Sequence, residues 1–146
     1  MMRICKFYAN LQIANMKDLS IVIYPELSYK ITGVLFIVHN ELGRYYHEKQ
    51  YADRVEFYLK KFQIRCEREK VLPKSFENEM NGRNKVDSLI ENKIILEIKA
   101  KRVLEREDYY QVKRYLIALN KKLGIVVNFR DKYFRPKRIL NSSAKE

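Results

Sequence analysis

In the stretch KVDSLIENKIILEIKA, residues 85–100, three charged residues occupy strand positions that Val or Ile would normally fill. They are Asp87, Glu97 and Lys99, and the stretch is typical of two strands joined by a tight turn. Residues two apart in a strand face the same side, so Glu97 and Lys99 share a face with Ile95. Such a group can bind a hard cation or form an ordinary solvated ion pair, and the second outcome is the more common one.

The register of the two strands decides whether the carboxylates meet. A two-residue turn would oppose Asp87 to Leu96 and separate it from Glu97. A three-residue connection, or a bulge, would instead oppose Asp87 to Glu97 and pair Leu89 with Ile95. In this second register the two anions repel each other unless a cation lies between them, which favours a Mg²⁺ (or Mn²⁺) site with the lysine beside it.

Two helical features add polar groups. Gln111 and Tyr115 are four residues apart and therefore share one face of the helix that follows. Glu48 precedes Tyr51 by three residues at the head of an otherwise apolar helix stripe, where a carboxylate needs a partner. The ordinary alternatives are an exposed glutamine, a core tyrosine, and a first-turn glutamate favoured by the helix dipole.

Composition favours an anionic partner. The chain has 146 residues, of which 33% are charged, and a formal net charge of +12. Nucleic acid is preferred over membrane lipid as that partner, and the basic segment FRDKYFRPKR is a candidate contributor. A solvated lysine-rich surface is the alternative. The two cysteines form no metal or disulfide pattern, and no signal peptide or membrane-length apolar run is evident, so we expect a soluble cytoplasmic protein.

Hydrophobic periodicity predicts an α/β sandwich. A first helix is expected from an N-cap at Ser28 to Gly43, and a second from about Tyr46 to Phe62. The later elements are a strand at about 64–71, the two strands of 85–100, a helix in 105–124 ended by Gly124, a buried strand in IVVNF and a short strand in RPKRIL.

We expect one domain over residues 23–140, preceded by an extension at 1–22 and followed by a polar tail at 141–146. The extension has uncertain structure: LSIVIY is a candidate strand ended by Pro25, and Met16 is an alternative start.

In chain order, Asp87, Glu97-x-Lys99 and Gln111-x-x-x-Tyr115 resemble the PD-(D/E)XK nuclease superfamily, in particular its exonuclease-like branch. The chain is more specifically similar to the GxxExxY protein family over about residues 23–140. Four segments carry that similarity: YPELSYKITGVLFIVHNELGRYYHEKQYA, VDSLIENKIILEIKA, YYQVKRYLIALNKKLGIVVNF and PKRI.

The resemblance implies a restriction-endonuclease-like core, with a central mixed sheet flanked by helices. It implies that Asp87 and Glu97 are metal ligands, with Glu48 as an additional acidic residue, and that Lys99 positions the attacking water. Gln111 and Tyr115 would complete or support this catalytic site.

The family motif corresponds here to Gly43, Glu48 and Tyr51. Two positions depart from the family pattern. Tyr45 stands where the family has its named glycine, three residues before the glutamate, although Gly43 is close. Val86 replaces the proline of the superfamily's name.

The leading hypothesis is a Mg²⁺-dependent nuclease that hydrolyses phosphodiester bonds in DNA or RNA. The alternative is a non-catalytic nucleic-acid-binding module on the same fold, which the net charge would serve equally well. A protein-interaction or toxin–antitoxin accessory role is a weaker third reading. A binder of phosphate gains nothing from anions in its groove, so the intact acidic pair favours the nuclease. A homodimer is left open.

Overall fold

The computed structural model describes residues 23–145. The predicted order α, α, β, β, β, α, β, β is confirmed. The candidate strand in LSIVIY and the alternative start at Met16 lie outside the described residues. The helices and strands are α1 (Pro25–Leu42), α2 (Glu48–Lys61), β1 (Cys66–Val71), β2 (Lys85–Ile90), β3 (Ile94–Lys99), α3 (Arg106–Leu119), β4 (Leu123–Asn128) and β5 (Lys137–Leu140).

The five strands form one mixed sheet in the order β1-β2-β3-β4-β5. Neighbouring strands are antiparallel except β3 and β4, which are parallel. A parallel pair needs a crossover connection, and α3 supplies it. The α/β fold with a central mixed sheet is therefore confirmed, and the carboxyl ends of β3 and β4 lie at the same edge of the sheet.

Helices cover both faces of the sheet. Buried side chains of α1 and α2 pack on one face, against Ile90, Ile94, Leu96 and Ile98. Side chains of α3 pack on the other face, against Leu89, Ile95 and Val126. No helix among residues 23–145 is long and apolar enough to cross a bilayer.

The predicted start of α1 is wrong. The helix begins at Pro25, and its N-cap is Tyr24 in the left-handed conformation with φ of 48°. Proline suits the first helical position because its fixed φ is helical and its missing N–H would be unpaired there anyway. Ser28 instead lies within the helix, where it is buried and its carbonyl accepts a hydrogen bond from Thr32 Oγ1 at 2.9 Å.

The predicted role of Gly124 at the end of α3 is also wrong. The helix ends at Leu119, and Asn120 provides the left-handed cap with φ of 53°. Gly124 lies inside β4, where a Cβ would come within 2.6 Å of Val112 Cγ1. The glycine therefore allows α3 to pack closely on the sheet.

Two other boundaries differ by two residues from the prediction. α2 begins at Glu48 rather than Tyr46, and β1 begins at Cys66 rather than Ile64. In both cases the preceding residues belong to the connecting loop, and periodicity does not locate such ends.

Candidate active site

The hairpin of β2 and β3 has the register that brings the carboxylates together. Ser88 pairs with Leu96, and Leu89 pairs with Ile95 as the three-residue connection predicts. The turn uses left-handed backbone at Glu91, with φ of 52°, and at Asn92, with φ of 55°. The alternative register, which opposes Asp87 to Leu96, is therefore excluded.

At Asp87 the carboxylates replace the backbone carbonyls of the strand ladder. The Asp87 N–H donates to Glu97 Oε1 at 3.0 Å, and the Ile98 N–H donates to Asp87 Oδ2 at 2.8 Å. On the other side, Glu69 of β1 has a left-handed φ of 53° at the position facing Asp87. The backbone hydrogen-bond ladder is therefore interrupted at Asp87, and the Asp87 and Glu97 carboxylates act as acceptors there.

Burial and mutual repulsion disfavour the ionised form of this carboxylate pair. Glu97 is only 3% exposed, and burial together with the charge of Asp87 raises its pKa to about 8. Burial likewise raises the pKa of the half-buried Asp87, although the Ile98 N–H and Lys99 oppose that shift. Because the two groups also hydrogen-bond each other, the pair retains a proton around neutral pH.

Lys99 lies beside the pair but directs its hydrogen bond to α3. Its Nζ donates to Gln111 Oε1 at 2.9 Å and lies 3.9 Å from Glu97 Oε2. Gln111 also hydrogen-bonds Tyr115 one helical turn away. Burial, and next the charge of Glu97, raise the pKa of Tyr115. The structure thus brings these two predicted helix residues together with Lys99 and Glu97.

Glu48 reaches the site from the opposite side of the sheet. It is exposed at the first residue of α2, and its Oε1 accepts a hydrogen bond from the Ala100 N–H at 3.3 Å. Glu48 and the pair Gln111 and Tyr115 approach from different faces, because α2 and α3 cover opposite faces of the sheet. Its charge still contributes to the raised pKa of Asp87.

The motif residues Gly43 and Tyr51 stabilise the loop that leads into α2. The buried Tyr51 hydroxyl donates to the Gly43 carbonyl at 2.6 Å and accepts from the Tyr46 N–H at 3.2 Å. Gly43 has φ of 75°, a conformation that favours glycine. These contacts fix the loop that places Glu48 at the end of β3.

Asn128 is a polar residue at this edge that sequence reasoning did not single out. It is 1% exposed and forms a two-bond pair with the backbone of Lys101, donating to its carbonyl at 2.7 Å and accepting from its N–H at 3.0 Å. Its Nδ2 also donates to Asp131 at 3.0 Å. The sequence did contain a signal for Asn128, because this polar residue ends the apolar run of β4 at the same edge of the sheet where Lys99 ends β3.

The donor set is suited to a small hard cation. Among residues 23–145, no three His, Cys, Asp or Glu side chains lie close enough together to hold a metal. Asp87 and Glu97 are close, however, and Mg²⁺ usually takes one or two protein carboxylates together with water and phosphate. The ammonium of Lys99 beside this acidic pair donates to Gln111 and lies 3.9 Å from Glu97 Oε2, so full ionisation of the pair calls for further positive charge and the residues fit such an ion.

Comparison with known proteins gives one match. Residues 25–139 match the PD-(D/E)XK nuclease superfamily, and this span exceeds half of the 146 residues. No curated protein and no solved structure matches the chain significantly. The matched span contains the whole β2–β3 hairpin, α3 and the mixed sheet described above. The chain belongs to the PD-(D/E)XK nuclease superfamily.

Proposed function

We propose that this protein is a metal-dependent nuclease that hydrolyses phosphodiester bonds in DNA or RNA. The observation that carries the proposal is the half-buried Asp87 beside the buried Glu97 where the strand ladder is interrupted: the Glu97 carboxylate accepts from the Asp87 N–H, and the Asp87 carboxylate accepts from the Ile98 N–H. Burying two adjacent carboxylates is costly for the fold. A cation that completes the site offsets that cost, and this accounts for their presence in a sheet core.

Asp87 and Glu97 would hold Mg²⁺ or Mn²⁺. Bound there, the ion would supply Lewis-acid chemistry, drawing charge from the scissile phosphate and favouring ionisation of the attacking water. Lys99 orients that water or neutralises charge that develops on the phosphate. Gln111 positions Lys99 through the 2.9 Å bond to its Nζ. Glu48, at the end of β3, would add negative charge near the ion without joining Asp87 and Glu97 as a third ligand.

The net positive charge of the chain indicates the class of substrate. A formal net charge of +12 on 146 residues favours a polyanion, and phosphate contacts dominate the affinity of proteins for nucleic acid. Within the superfamily we assign the chain to the GxxExxY group. The Tyr51–Gly43 hydrogen bond supports this assignment, because it gives the motif residues a joint role in placing Glu48.

Incubation with labelled single- and double-stranded DNA and RNA tests the function. We expect cleavage with Mg²⁺ or Mn²⁺ and none with EDTA. A non-catalytic binding module would shift the mobility of the same substrates without cutting them, with or without metal. That result, obtained with folded protein, would overturn the nuclease proposal.

Gln111→Leu is expected to slow cleavage by roughly tenfold, because Lys99 loses the acceptor that holds its ammonium beside the attacking water and the phosphate. Metal-induced stabilisation should persist, because the carboxylates are unchanged. Gln111→Glu restores an acceptor and should recover part of the rate. Single-turnover cleavage rates and thermal melts with metal check these expectations. An unchanged rate for Gln111→Leu would show that Lys99 does not depend on Gln111.

A further inference from the structure

Two loops meet at the sheet edge where β3 and β4 end. One is the α1–α2 loop at 43–47 and the other is the β4–β5 loop at 129–136. Arg44 Nε donates to the Arg130 carbonyl at 2.9 Å, and Arg130 Nε donates to the Arg44 carbonyl at 2.6 Å. This arginine pair joins segments 86 residues apart and fixes each loop against the other.

The two loops rest on buried aromatic rings. Tyr51 stacks on Phe129 with centroids 4.2 Å apart and an interplanar angle of 8°. His39 stacks on Phe134 at 4.3 Å, and its Nε2 lies 3.2 Å from the Asp131 carbonyl. Because these rings are packed and hydrogen-bonded, the loops above them are held in place.

Two tyrosines on these ordered loops nevertheless face solvent. Tyr45 is 78% exposed and Tyr133 is 75% exposed. The guanidinium carbons of Arg44 and Arg130 lie 5.6 Å and 5.9 Å from the centroid of the Tyr45 ring. The ammonium of Lys132 lies 5.8 Å from the centroid of the Tyr133 ring. Exposed rings bordered by cations are the combination that single-stranded nucleic-acid sites use for bases and phosphates.

The loops that carry the two tyrosines contact the end of β3, beside the candidate active site. Tyr45 precedes Glu48 by three residues, and the Glu48 carboxylate accepts from the Ala100 N–H directly after Lys99. On the other loop, Asn128 connects Asp131 to the backbone of Lys101. A nucleic-acid strand bound to these loops would therefore reach the end of β3.

We propose that Tyr45 and Tyr133 form a stacking platform for unpaired bases, so that the preferred substrate is single-stranded nucleic acid or a frayed end. This inference rests on the proposed nuclease function and names its substrate class. A paired base has both faces covered by its neighbours in the stack, whereas an unpaired base can lie on a tyrosine ring. The bordering Arg44, Arg130 and Lys132 contact the phosphates.

Fluorescence anisotropy in EDTA measures binding without cleavage. The probes are a labelled single strand of about 20 nucleotides, longer than the ~4–16 nucleotides of typical stacking sites, and its duplex. The variants are Tyr45→Leu and Tyr133→Leu, with Tyr45→Phe to retain the ring. Phe57→Leu is the matched control, because Phe57 is 49% exposed on α2 beneath the Arg54 guanidinium at 4.4 Å.

We expect each leucine variant to weaken single-strand binding by roughly tenfold, with little change for the duplex. Tyr45→Phe and Phe57→Leu should bind as the wild type does. The slope of log affinity against log salt should stay constant in the leucine variants, because their phosphate contacts are intact. The platform would be overturned if Phe57→Leu lost as much single-strand affinity as the tyrosine variants. It would also be overturned if Tyr45→Leu and Tyr133→Leu both bound single strands with wild-type affinity.

The platform and the nuclease proposal fail in different ways. Wild-type protein that binds single strands through Tyr45 but never cleaves would retain the platform and refute the nuclease. Protein that cleaves, while Tyr45→Leu and Tyr133→Leu bind and cut single strands normally, would retain the nuclease and refute the platform.

Discussion

Asp87→Asn is expected to leave the metal-free protein as stable as the wild type, or slightly more stable, while it abolishes metal stabilisation and cleavage. Asparagine keeps an oxygen that can accept from the Ile98 N–H, which now donates to Asp87 at 2.8 Å. It also removes one of two adjacent carboxylates whose simultaneous ionisation is disfavoured at this site. Because the ion loses a charged ligand, cleavage should fall by at least ~10²-fold. Thermal melts with and without Mg²⁺ or Mn²⁺, and cleavage rates, measure both effects.

Asp53→Asn is the matched control for this change. Asp53 is an exposed aspartate of α2 that pairs with Arg68 at 3.0 Å. Its variant should respond to metal as the wild type does. A destabilised Asp87→Asn protein, together with a wild type whose melting is indifferent to both metals, would falsify the catalytic reading and make Asp87 a structural residue.

The metal-free protein is expected to lose stability as pH rises from about 5 to about 8. The pKa of Glu97 rises from 4.5 to about 8 on folding, because the group is buried beside Asp87. A group whose pKa is higher in the folded state stabilises the fold fully below its unfolded pKa, and this contribution disappears as pH rises through the folded pKa. The loss should be on the order of a few kcal/mol, since one pKa unit corresponds to about 1.36 kcal/mol.

Chemical denaturation across this pH range measures the effect. Saturating Mg²⁺ or Mn²⁺ should reverse the trend, because a bound cation favours the ionised pair and stabilises the folded state by mass action. In Glu97→Gln the metal-free decline should be much smaller, because only Asp87 and the remaining groups still titrate. A wild-type stability that is level, or that increases between these pH values without metal, would contradict the raised pKa.

Sequence reasoning anticipated the hairpin geometry of the candidate site because strand geometry is regular. Alternation placed Glu97 and Lys99 on one face, and the length of the turn connection decided whether Asp87 opposed them. The interruption of the ladder could not be predicted in this way. Alternation describes which face a side chain occupies, whereas here the Asp87 and Glu97 carboxylates occupy hydrogen-bonding positions of the backbone.

Long-range contacts were the other limit. The position of Glu48 depends on which face α2 covers, and helix periodicity gives only the apolar side of the helix. The Arg44–Arg130 contact joins loops 86 residues apart, and no local pattern indicates it. Gly124 was misread because a glycine after a helix usually ends it, whereas this one is required by the approach of Val112.

Proton-linked metal binding tests the central claim, that Asp87 and Glu97 together bind a divalent cation. Titration calorimetry of Mn²⁺ into the wild type near neutral pH, repeated in buffers of different ionisation enthalpy, counts the protons released. The account predicts saturable binding with release of about one proton per ion, since the pair must ionise fully to bind metal. It also predicts loss of binding in Asp87→Asn and retention in Asp53→Asn. No binding by the folded wild type, or binding that Asp87→Asn leaves unchanged, would contradict it.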